Sequence, residues 1–238
     1  MNRRSFLISA AAAVAAPAKT FDGRSVMLGG REHVLTDIVA PATPLSGGIE
    51  PASDFAAAAL REIIRQGAPF GPVLTKTDRW GRLEGAIGWR TREGRATTLQ
   101  EILLAEGAAR VAPTSDDLAF IERCYAAERA ARDARLGLWA FDAWRIRDAA
   151  KAEWSSGYQI YAGVIRAASE RKGRVFFNFG DDFRTDFTAT VAKGAFRRWT
   201  QQPDLLSVAG TRVEVRGLVE AINGPSIELL HAMQMRLV

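Results

Sequence analysis

The chain has 238 residues, 47% apolar and 25% charged, which is enough apolar material for a core without disulfide or metal staples. Its 32 basic and 27 acidic residues leave a net charge of +5 with no block of like charges, which argues against a polybasic tail and leaves open a basic surface for a polyanion. A single cysteine, Cys124, excludes an internal disulfide, and the length sets one large or two small domains.

In chain order, the first feature is a leader. Arg3-Arg4-Ser5-Phe6-Leu7 precedes an apolar, alanine-rich run ending at Ala16-Pro17-Ala18. A charged start, a short apolar stretch and small residues at the exit form an export signal over residues 1–18, cleaved at the Ala16/Ala18 site. The paired arginines resemble a twin-arginine address; the alternative is an ordinary secretory signal that holds two arginines. Either route implies a periplasmic or secreted bacterial protein. No later run is long and apolar enough to span a bilayer, so no membrane span is expected in the mature chain.

A β-hairpin is expected next, Ser25 to Leu28 with His33 to Val39, turned at Gly29-Gly30. Residues 44–51 form a Gly/Pro/Ser loop, and Phe55 to Arg65 a helix. Val73 to Thr77 and Glu84 to Trp89 are paired strands around the turn Asp78-Arg79-Trp80-Gly81. After a hairpin at Arg92 to Arg95 come a helix over Leu99 to Glu106 and a long helix over Asp116 to Leu136, capped by Ser115. Leu118, Ile121, Cys124 and Tyr125 make its apolar stripe, with Glu128–Arg132 and Arg129–Asp133 as i,i+4 pairs on the solvated side. Cys124 is read as a small buried apolar residue, since neither His33 nor His231 is near it in sequence.

Residues 141–156 are expected to be a helical linker, and 157–238 a second, β-rich domain. Its strands are Tyr158 to Ala167, Arg174 to Phe179, Asp186 to Ala192, Arg212 to Glu220 and Ile227 to Leu237, with a helical stretch before the fourth and a turn at Asn223-Gly224-Pro225. That order fits a small OB-like barrel. Phe176, Phe177, Phe179 and Phe183 either fill that barrel or stack bases, with Arg171, Lys172, Arg174 and Arg184 near for phosphates; Lys193, Arg197 and Arg198 beside Trp199 form another basic-aromatic patch.

Residues 21–140 carry a series of motifs in order: Phe21-Asp22-Gly23-Arg24-Ser25-Val26, His33 to Pro41, Asp78-Arg79-Trp80-Gly81-Arg82, Leu103 to Val111, and Glu128 through Gly137-Leu138-Trp139. In this order they resemble the staphylococcal-nuclease-like (thermonuclease) family, and residues 19–140 are assigned to such a domain. The resemblance implies an α+β fold built on a five-stranded OB-type barrel, and phosphodiester hydrolysis with a calcium ion held by aspartates, two arginines on the phosphate and a glutamate that helps water attack. At the corresponding positions this chain has Arg24 and Val39 for the metal aspartates, Val34 for the first arginine and Ala42 for the glutamate. Arg82 alone keeps its catalytic type. A two-residue register shift would bring Asp37 to the metal position, and Glu32 or Glu50 could stand in for the glutamate. Arg82 either contacts phosphate or closes its turn onto Glu84 or the loop; Trp80 either fills a core or lid or stacks a base. With Arg24, these two are the candidate nucleic-acid contacts.

The expectation is therefore an exported nuclease-like protein with a degenerate site and no resident metal or cofactor. Nucleic acid, another polyanion or an envelope protein would be its partner. Two alternatives stand beside it: an active calcium-dependent nuclease, and a structural envelope protein.

Overall fold

The computed structural model describes residues 23–41, 51–199, 203–205 and 207–238. The leader, with Ala16 and Ala18, and the residues Asp22, Ala42 and Glu50 lie outside them.

The first half is mixed α+β. Strands β1 (Ser25–Leu28) and β2 (Arg31–Leu35) form the hairpin, and β3 (Ile38–Val39) follows. Helix α1 (Pro51–Arg65) leads into β4 (Gly67–Thr77), β5 (Leu83–Thr91) and β6 (Ala96–Thr98). Helix α2 (Leu99–Ala105), β7 (Arg110–Val111) and helix α3 (Leu118–Asp133) complete it. The sheet runs β1-β2-β5-β4 with β6 on β5, and the β2–β5 pair is parallel. A separate β3–β7 pair ties the end of the hairpin segment to the approach of α3. Apolar faces of α1, α2 and α3 bury Leu60, Leu103, Leu104 and Ile121 against Leu35, Ile87 and Trp89 of the sheet.

The expected strand His33 to Val39 is broken at Thr36-Asp37. Asp37 is buried with φ 62°, a left-handed conformation that aspartate adopts more readily than most residues. Its Oδ1 accepts the backbone N–H groups of Thr114 and Ser115, each at 2.8 Å. Ser115 therefore does not cap the long helix. Asp117 does, accepting the N–H of Phe120 at 2.9 Å, and α3 is shorter at both ends than its charge pattern suggested. At its far end Gly137 and Gly107 approach so closely that a Cβ on Gly107 would lie 2.2 Å from the Leu136 carbonyl oxygen.

The expected helical linker is not one helix. Residues 142–156 hold two short 3-10 turns and β8 (Arg147–Asp148), which joins the second sheet. Helix propensity here is only a weak prior, overridden by the residues that this stretch contributes to the seam between the halves.

The second half comprises β9 (Tyr158–Val164), β10 (Ala167–Arg171), β11 (Arg174–Asn178), β12 (Thr188–Ala192), the short helix α4 (Lys193–Phe196), β13 (Arg212–Ala221), β14 (Pro225–Glu228) and β15 (Met235–Leu237). The sheet order is β10-β11-β12-β14-β13-β9-β8, with β12 and β14 parallel and β15 also on β13. β9 and β10 are halves of one bent run. At the bend, Ile165 N–H donates to the Thr211 carbonyl and Arg166 N–H to that of Asn178, so the two ends of the sheet meet. Phe177, Phe179 and Phe187 fill the interior with Tyr161, whose ring stacks on Phe187 at 4.1 Å.

Candidate functional site

The turn Asp78–Arg82 between β4 and β5 is closed by its own side chains. Asp78 Oδ1 accepts the N–H groups of Trp80 and Arg82 at 2.9 Å, and Arg82 Nε donates to Asp78 Oδ2 at 2.7 Å. Gly81, at φ 80°, supplies the left-handed residue that the turn needs. Burial opposes charge on Asp78, but these bonds from Arg82 and the loop amides hold its carboxyl below the usual range. Glu32 Oε1 stands 3.8 Å from Arg82 on the other side. Arg82 is thus clamped between two carboxylates from the turn and from β2, and is held above its ordinary value chiefly by Asp78.

Trp80 is not a core residue. It is 66% exposed at the tip of this turn, with the Arg79 and Arg82 guanidinium groups 4.5 and 5.1 Å from its ring centroid. Arg24 is exposed at the start of β1 and lines, with Lys76 and Glu84, one end of a cleft of about 800 Å³. Val34 and Val39 reach this cleft from the hairpin segment; Asp37 reaches it too. Its far wall comes from the second half, including Tyr158, Leu218, Glu220, Glu228 and Leu230.

The Asp37 carboxylate is committed to the loop before α3, accepting also from the hydroxyls of Thr114 and Thr36 at 3.3 and 3.1 Å. Among the described residues no three His, Cys, Asp or Glu side chains cluster as a metal site would require. Cys124 is buried, and burial pushes its thiol up, as befits a core residue.

The sequence reading missed the seam. Glu128, expected on a solvated face, is buried with Arg216 of β13; their side chains are 3% and 2% exposed and 2.9 Å apart. Glu128 Oε1 also accepts the Val111 N–H at 2.8 Å. Burial alone would push Arg216 down, but Glu128, then Tyr125 and Tyr158, more than reverse this and keep it a cation. Arg132 turns away from Glu128 to Glu214 at 2.7 Å. Arg110 donates to the carbonyls of Tyr158 and Trp144 and lies 4.1 Å from the Trp144 ring centroid. Tyr158 Oη donates back to the Val111 carbonyl at 3.0 Å. One signal was available: Glu128 lies three and four residues from Tyr125 and Cys124, on the stripe that faces inward.

In the second half Phe177 and Phe179 are core, and Trp199 is buried on Phe196, so these rings cannot stack bases. Phe183 alone of the four phenylalanines is largely exposed, with Arg184 4.9 Å from its ring centroid.

A search of the curated proteins finds no match to the chain. The family model for staphylococcal nuclease homologues matches residues 34–141, which include Val34, Val39, Trp80, Arg82 and Glu128. With the sheet, the helices and the Asp78–Arg82 turn arranged as described, residues 34–141 of this chain are a staphylococcal nuclease homologue domain.

Proposed function

We propose that this is an exported nuclease-family protein that binds its partner without hydrolysing it. The carrying observation is the chemistry of the side chains at the family positions: Arg24 is a cation and Val39 aliphatic where the metal aspartates belong, and Val34 is aliphatic where the first arginine belongs. A hard cation such as calcium needs several oxygen ligands, and this donor set does not fit one. Among the described residues, the acids named as replacements have other duties. Asp37 is saturated by four donors, and Asp78 and Glu32 flank a guanidinium. Arg82 supports the same reading, since its clamp between carboxylates serves turn closure.

Binding of nucleic acid or another polyanion is supported by the exposed Trp80 with Arg79 beside it, and by Arg24 on the same half. The second half, whose strand path closes through the β9–β10 bend, is read as an appended OB-like domain. The leader over residues 1–18 is read as a twin-arginine-type signal, giving a periplasmic or secreted protein. No helix among the described residues is long and apolar enough to cross a membrane.

The test is incubation of the purified chain, from Lys19 onward, with single- and double-stranded DNA, with and without calcium. No turnover is expected. Binding to single-stranded DNA should weaken steeply with salt, because each neutralised phosphate releases counterions, and Trp80→Ala should weaken it. Calcium-stimulated cleavage that disappears on changing one acidic residue would overturn the reading in favour of an active nuclease. DNA binding absent at low salt would favour a protein partner alone.

A further inference from the structure

The seam and the cleft share one sheet face. Along β13, Glu214, Arg216, Leu218 and Glu220 alternate to the same side. The first two are buried against α3. The next two run on past the end of that contact: Leu218 is 67% exposed and Glu220 is exposed. Leu230, just after β14, is 79% exposed and lines the same cleft. The opposite wall is uncharged where Val39, Pro41, Ala112 and Pro113 form it.

The charges of the cleft are mostly spoken for. Lys76 stands 3.5 Å from Glu84, Glu228 pairs with Arg174 at 2.7 Å, and Asp37 is tied to its loop. The Glu220 side chain, on a residue whose backbone pairs with Ser226, has no hydrogen-bond or ion-pair partner among the described residues. A face that is half used to dock α3 continues as one bare leucine, Leu218, and an unpaired acid, with Leu230 lining the same cleft. Beside them is a cleft of about 800 Å³, the size of a binding cleft.

We propose that this cleft receives an extended protein segment that carries apolar side chains and a basic one. The apolar side chains cover Leu218 and Leu230 and rest on the Val39–Pro113 wall; the basic side chain pairs with Glu220. Four acids, Asp37, Glu84, Glu220 and Glu228, line the cleft against two cations, Arg24 and Lys76, so phosphates are disfavoured at Glu220, whatever happens at Arg24 and the Trp80 tip. The inference rests on the non-hydrolytic reading only in that the cleft is not occupied by a reacting phosphodiester.

The experiment uses the mature chain and three fluorescein-labelled probes in polarisation titrations: a peptide of alternating leucine and lysine, its leucine–glutamate counterpart, and oligothymidylate. The leucine–lysine peptide should bind about tenfold more tightly than the leucine–glutamate peptide. Glu220→Lys should weaken it by about tenfold, and so should Leu218→Ser with Leu230→Ser. All three positions are exposed, so melting temperatures should stay near that of the parent and loss of binding will not be loss of fold. Equal affinity for both peptides, or unchanged affinity in both variants, would overturn the inference. So would oligothymidylate displacing the peptide from the parent and binding more tightly still to Glu220→Lys, since that would make the cleft a polyanion site. DNA cleavage alongside intact peptide binding would defeat the non-hydrolytic reading and leave this one standing.

Discussion

The two ends of the outward face of β13 have opposite characters. At the seam, Glu214 and Arg216 join Glu128, Arg132 and Tyr125 in an ionic cluster whose Glu128–Arg216 centre is buried. Two turns of the pleat later, Leu218 and Glu220 face open space. Burying charge is tolerable only where every partner is present, while exposing an apolar side chain costs little. The seam is therefore where the chain spends its specificity in joining its halves, and the cleft is where it keeps a surface uncommitted. Changes at the seam should be felt as stability, and changes at the cleft as binding.

The largest effect is expected at the seam. Glu128→Ala leaves Arg216 buried without its carboxylate and the Val111 N–H without its acceptor. We expect a loss of about 3–5 kcal/mol in chemical denaturation, with both halves affected together. Pairing Glu128→Leu with Arg216→Met should recover much of that loss, because neither charge is then stranded. A Glu128→Ala protein as stable as the parent would mean that the seam is not closed in solution.

Asp37→Ala tests the cleft side of the same contrast. It strips acceptors from the Thr114 and Ser115 amides and leaves a left-handed alanine, and should cost about 1–3 kcal/mol. If Asp37 served a metal instead, its loss would change calcium affinity and leave stability in metal-free buffer unaltered.

These two residues also mark what sequence can and cannot carry. The Gly29-Gly30 hairpin, the Asp78–Arg82 turn and the strands on either side were legible because their signals are local: left-handed glycines, an aspartate that closes its own loop, alternation of side chains. The order of motifs also gave the family, which the family model matches over residues 34–141. Glu128 was misplaced because its partner is 88 residues away, and a carboxylate at a helical spacing that also fits a surface ion pair carries no mark of a distant arginine. Asp37 was read as part of a strand for a similar reason: its kink is fixed by amides 77 and 78 residues on. At the candidate site, the motif order gave an assignment of residues to the family positions. It could not tell that Arg82 is clamped, that Trp80 is bare, or that the second half forms a wall of the cleft.

A smaller effect is expected where α3 ends beneath α2. Gly107→Ala must place a Cβ against the Leu136 carbonyl at a φ of 67° and should cost about 1–2 kcal/mol. The response should be confined to the first half and its seam. A comparable loss at Gly94, whose Cβ would meet nothing within 4 Å, would mean that φ strain alone is at work.

The smallest effect is a pH response on the hairpin. Burial, then the nearby Arg31 charge, lower the His33 imidazole below its ordinary 6.5, with the Leu28 carbonyl opposing them. The folded chain therefore takes up a proton less readily at this position than the unfolded chain does. Between the depressed value and 6.5 the unfolded state binds more protons, so this share of stability is complete above 6.5 and is lost as pH falls below it. His33→Gln should flatten denaturation midpoints across that interval while leaving the seam and peptide binding in the cleft untouched. If the parent and the variant keep the same slope with pH, the loss on acidification belongs to carboxylates such as Asp78, whose depressed value makes it lose stability at lower pH. The contrast between a charge-sealed seam and a neutral hairpin core would then rest on the seam alone.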